Sequence, residues 1–208
     1  MGLISNGTTI FDAGAIDSGI AKGAMTLIKT LTASSSSTLS FVDGSSDVVL
    51  DSTYPIYLFK FINIHPSSNT SALQFQGSTD SGSNYNTTMT TTAFYASGDE
   101  AGSNTQFFYF TSKDQAQGTS FQPISLYDTG NENDESGVGE LIIFNPSNTN
   151  FVKHFVSNFA GTSRYNYPNT GYVAGYFNTT SALDAFQFKM SSGNIDAGTI
   201  KLYGIKGS

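Results

Sequence analysis

The stretch Tyr54 to Tyr85, YPIYLFKFINIHPSSNTSALQFQGSTDSGSNY, decides the fold. Side chains alternate across a strand, so Tyr57, Phe59 and Phe61 share one face of its first half and Ile56, Leu58, Ile62 and Ile64 the other. The aromatic face carries no charge and reads as the main core face. Lys60 interrupts the second face, which calls for a lighter cover such as an arm or a neighbouring subunit. Beyond a polar connection, Leu73 and Phe75 alternate with Gln74 and Gln76 in the manner of a half-exposed antiparallel strand. Residues Asp80 to Ser83, with Gly82, read as a tight turn.

Outward from this core the same period recurs. Strands are predicted over residues 24–32, 38–42, 90–95, 105–111, 121–127, 140–145, 151–158, from Tyr172 through Phe177, 184–190 and 199–205, with Val48 to Leu50 as a short crossing between sheets. Phe107 to Phe110 put aromatic rings on both faces of their strand, and Pro123 confines its own to an edge or a bulge. Residues 140–145 and 151–158 form a hairpin. In 184–190, Phe186, Phe188 and Met190 point inward and Gln187 and Lys189 outward; Gly193 to Gly198 is a turn. About ten strands at turn-punctuated spacing predict an all-β, jelly-roll-like antiparallel β-sandwich with an extended N-terminal arm. Tyr57, Phe59, Phe61, Leu73, Phe75, Phe186, Phe188 and Leu202 are expected to form one continuous core between two sheets.

Composition sets the limits. The 208 residues suit a single β domain. There is no cysteine, so disulfides, zinc–thiolate sites and thiol nucleophiles are excluded. Charged residues make up 12% of the chain, against about 25% in typical domains. A net charge of −7 argues against nucleic acid as a partner, because phosphate neutralisation needs clustered Lys and Arg. No segment reaches the ~20 apolar residues of a membrane span, and no basic-then-apolar export signal opens the chain.

Residues 1–23 sustain neither strand nor helix period, yet carry Leu3, Ile4, Ile10, Phe11 and Ile16 among small residues. They read as an attachment arm in front of a body spanning 24–208, with those five as its anchors; a loose terminus is the plain alternative. No catalytic residue, cofactor or metal is assigned, and the chain is not read as an enzyme. Its two histidines, His65 and His154, lie in no catalytic motif. The acidic loop 128–139 offers Asp128, Glu132, Asp134 and Glu135 as oxygen ligands for Ca²⁺ but lacks EF-hand spacing, and a solvated loop is its default reading. The loop RYNYPNTGY presents Arg164, Tyr165, Tyr167 and Tyr172 as a candidate exposed binding loop. Tyrosines there suit stacking on sugar rings, a protein interface or a packed loop equally well.

The strings YPIYLFKFINIHP (54–66), DSGSNY (80–85), GELIIFNP (139–146) and SGNIDAGTIKLYGIK (192–206) resemble those of tailed-bacteriophage and prophage virion proteins of jelly-roll type. The resemblance covers residues 24–208 and is most specific at its C-terminal string. It implies a structural component of the virion, without catalytic residues: a capsid decoration protein docked through its arm, with a receptor-binding tail module recognising a host-surface glycan as the alternative. A glycan-active enzyme or lectin is the reading outside the virion. Implied partners are the major capsid protein or tail subunits. Apolar surface on both faces of the Tyr54 and Thr105 strands adds the expectation of a homo-oligomer, with a trimer favoured.

Overall fold

The computed structural model describes residues 3–6, 8–12, 15–16, 24–127 and 129–207. The strands are β1 (Leu3–Ser5), β2 (Thr8–Asp12), β3 (Ala15–Ile16), β4 (Met25–Thr32), β5 (Leu39–Val42), β6 (Ile56–Pro66), β7 (Leu73–Ser78), β8 (Met89–Gly98), β9 (Thr105–Tyr109), β10 (Ala116–Gly118), β11 (Gln122–Pro123), β12 (Gly137–Phe144), β13 (Lys153–Thr162), β14 (Pro168–Phe177), β15 (Ala185–Met190) and β16 (Ile195–Ile205). They form an antiparallel β-sandwich. One sheet runs β10-β8-β14-β13-β12-β6-β16-β4 with β9 also on β8; the other runs β11-β7-β15-β5. The first and last body strands, β4 and β16, lie side by side in the large sheet, an arrangement compatible with a jelly roll.

The expected core is present. Tyr57, Phe59, Phe61, Leu73, Phe75, Phe186, Phe188 and Leu202 are all buried in one cluster. Phe59 of the large sheet meets Phe186 and Phe188 of the small one edge-on, with ring centroids 5.6 and 5.1 Å apart, and Phe75 meets Phe155 at 5.0 Å. Edge-to-face contact sets the positive rim of one ring against the negative face of the next, adding to the gain from burial. Val48 and Leu50 are buried here too, in the irregular segment that crosses, as expected, from β5 of the small sheet to β6 of the large one.

Four expectations are corrected. Ile64 faces the core, because Asn63 at φ 50° forms a bulge opposite Gly198 and reverses the alternation of β6. The bulge also lets β16 begin at Ile195, inside the predicted turn. Gln76 is fully buried: its Nε2 donates to the carbonyls of Thr119 and Ser120 at 3.1 Å each, so the segment before β11 covers the face expected to be wet. Residues 121–127 keep only the two-residue edge strand β11, as Pro123 requires.

The arm carries short strands of its own. Its residues pair among themselves as a three-stranded antiparallel sheet, Leu3 against Phe11, Ile4 against Thr9 and Phe11 against Ile16. Ser5 pairs with Thr8 and Asn6 holds φ 48°, the left-handed geometry that an Asn-Gly pair favours in a hairpin. Ile10 lies within β2, and Ile4 is exposed. Residues 17–23 lie outside the described residues.

The outer face of the large sheet is apolar in rows. Register aligns Ala174, Val156, Ile142, Leu58, Tyr203 and Leu27 across six strands. A second row aligns Phe144, Ile56, Ile205 and Met25. Leu27 is 51% exposed, Met25 53% and Val156 42%. Lys60 interrupts this face as expected and is paired there with Glu140, Nζ to Oε2 2.5 Å.

Candidate binding site at the loop end

The loop between β13 and β14 is built around Ser163. This buried hydroxyl accepts the backbone N–H of Tyr165 and of Tyr167, both at 3.3 Å, while Ser163 N–H donates to the Tyr167 carbonyl at 3.1 Å. Asn166 takes φ 57°, which asparagine tolerates better than most residues. The turn is thereby fixed, and it holds Arg164 and Tyr165 outward.

The Arg164 guanidinium lies over the Tyr165 ring, Cζ to centroid 4.6 Å, and its Nη2 donates to the Tyr165 hydroxyl. Nη1 donates to Thr70 Oγ1 at 3.0 Å, tying this loop to the β6–β7 connection. Thr70 stands at φ 60°, a left-handed conformation that is an outlier for a β-branched residue.

These side chains border a cavity of about 330 Å³, lined by Thr70, Phe110, Lys113, Leu126, Tyr127, Arg164 and Tyr165. Its aromatic wall continues inward: Tyr95 packs on Phe110 at 5.2 Å and on Tyr127 at 5.5 Å. Burial, and then the Tyr127 hydroxyl nearby, push the Tyr95 phenol above its ordinary pKa. Lys113 Nζ reaches over the Phe110 ring at 5.7 Å.

Of the residues singled out in the sequence, Arg164 and Tyr165 line this cavity. Tyr167 is set back, its ring 6.1 Å from that of Tyr165. Tyr172 is elsewhere: it lies in β14 on the outer sheet face, stacked on Phe94 at 5.1 Å, and Phe107, 74% exposed, meets Phe94 in an edge-type contact at 5.8 Å. The remaining lining residues come from three other connections. Only aromatic and cationic type marked Phe110, Lys113 and Tyr127, and no local spacing joins them to Arg164.

The other candidates do not converge. In the acidic loop Glu135 turns inward and its carboxylate accepts the Glu132 N–H at 2.7 Å, while Glu132 and Asp134 face solvent. Asp128 lies outside the described residues. Among the described residues no three His, Cys, Asp or Glu side chains gather as a metal site. His65 Nε2 lies 3.1 Å from the Glu132 carbonyl oxygen, and His154 is exposed beside Tyr176. No family model, curated protein or solved structure matches this chain.

Proposed function

We propose that this protein is a structural component of a bacteriophage virion that works by binding and assembly, as a capsid decoration protein. The observation that carries the assembly part is the outer face of the large sheet. Two apolar rows cross it, from Ala174 to Leu27 and from Phe144 to Met25. Contiguous apolar surface of this kind marks contact sites, and a second copy of the chain is its natural cover, with a homotrimer as the expected state. The resemblance of residues 54–66 and 192–206 to virion proteins supports the setting.

Residues 1–23 serve in this reading as the attachment piece, docking on the major capsid protein or an adjoining subunit. Exposed Ile4 and the edges of the small β1-β2-β3 sheet suit strand addition. Deleting residues 2–23 is expected to leave a folded body that no longer joins particles in a reconstitution assay; undiminished incorporation would overturn the docking role. A tail module that binds host-surface glycan is the second reading, favoured by the Arg164 cavity at the loop end.

A further inference from the structure

We infer that the loop-end cavity is a binding site for a sugar carrying a carboxylate, an acidic saccharide of the uronic or sialic class. This deepens the recognition reading and rests on the cavity alone, so it stands or falls separately from assembly through the outer sheet face.

Three observations converge on it. First, the chain has nine Lys and Arg residues against sixteen acids, yet two cations, Arg164 and Lys113, line this one concavity and no acidic residue does among the described residues. Arg164 spends one N–H on Thr70 and one on Tyr165. A guanidinium has five donors in a planar fork, so the remainder can take a carboxylate in bidentate fashion. Second, the walls are Phe110, Tyr127, Tyr165 and Leu126. A pyranose has an apolar C–H face and a polar rim, which suits aromatic walls with a few polar anchors; a bare phosphate has no body to fill them. The volume of about 330 Å³ falls within the range of small-ligand pockets, about 300–1,000 Å³.

Third, Thr70 is strained at the site. A β-branched residue at φ 60° is costly, and such outliers gather where binding groups must be held in place. Its hydroxyl accepts from Nη1 of Arg164 while the Tyr165 ring supports the guanidinium from one side, so the cation is fixed before any ligand arrives. A preorganised Arg loses less side-chain freedom on binding.

The test is saturation-transfer NMR and calorimetry on the full chain with N-acetylneuraminic acid and glucuronic acid, against glucose, N-acetylglucosamine and inorganic phosphate. At least one acidic sugar is expected to bind, and the neutral sugars and phosphate at least about tenfold more weakly. Arg164→Ala is expected to weaken the acidic sugar by at least about tenfold, and Lys113→Ala, on a separate loop, to weaken it in the same direction. Absence of acidic-sugar binding, equal binding of neutral sugars or phosphate, or affinity unchanged in both variants would overturn the assignment. None of these outcomes alters the mass of the assembly, which the outer sheet face governs.

Discussion

The carbonyl oxygen of Asn63 stands 2.6 Å from where a Cβ on Gly198 would be, and the two residues hold φ of 50° and 116°. Only glycine fits this closeness in that backbone region. The bulge they form turns Ile64 into the core and lets β6 and β16 stay paired from Ile195 to Ile205. Gly198→Ala is therefore expected to destabilise the fold by about 1–3 kcal/mol or more, the scale of a strained φ with a backbone clash added. Urea unfolding of the variant against wild type measures it, and an unchanged midpoint would contradict the pairing.

Phe59 and Phe188 sit where the two sheets meet, each fully buried, with ring centroids 5.1 Å apart. Truncating either to Ala is expected to cost about 3–5 kcal/mol through lost burial and the cavity left behind. Because they touch, the double variant should cost less than the sum of the two, which a double-mutant cycle reads directly.

Acid should loosen the turn after β7. The Asn84 and Ser78 side chains donate to Asp80 at 2.7 Å each, and the carboxyl is pulled down from 3.8 to about 2, first by Asn84 and then by Ser78. At neutral pH the group is ionised in both folded and unfolded chains, and its contribution to stability is fully present. Below 3.8 the unfolded chain takes up a proton that the folded turn refuses, so stability falls as pH drops through about 2. Asp80→Asn should flatten the pH dependence of the thermal midpoint between pH 4 and 2, roughly the window set by the two pKa values.

Thr70 trades stability for the position of Arg164. Replacing it with Gly relieves the left-handed strain at φ 60° and removes the acceptor of the Nη1 hydrogen bond. Thr70→Gly is expected to leave stability equal or raised by up to about 1 kcal/mol, against the loss an ordinary Thr→Gly change in a loop brings through chain entropy. A loss of several kcal/mol would show that the threonine is not strained.

Much of the sandwich was legible in sequence because its signal is local. Period-two alternation marked the inward sets of β6, β7 and β15, and Pro123 marked an edge. What escaped was non-local or depended on a single residue. The bulge at Asn63 needs Gly198, 135 positions on in sequence, to accept it. The burial of Gln76 needs a covering segment that no alternation within β7 announces. Asn6 was readable as a turn residue, but the surrounding lack of periodicity obscured it. Of the candidate loop, Arg164 and Tyr165 were found by composition, whereas Phe110 and Lys113 reach them through the pairing of β8 with β9 and β14, and Tyr127 through the bridges of nearby Thr129 to Ser71 and Ser163.

Further copies of the chain are expected to cover the apolar outer face of the large sheet. Multi-angle light scattering of the full chain at micromolar concentration tests it most directly. The expected result is a mass of three times the 22.1 kDa of one chain, falling to a single chain when exposed Leu27 and Val156 on that face are both changed to Asp. A wild-type protein that runs as a 22.1 kDa monomer under those conditions would contradict assembly through that face.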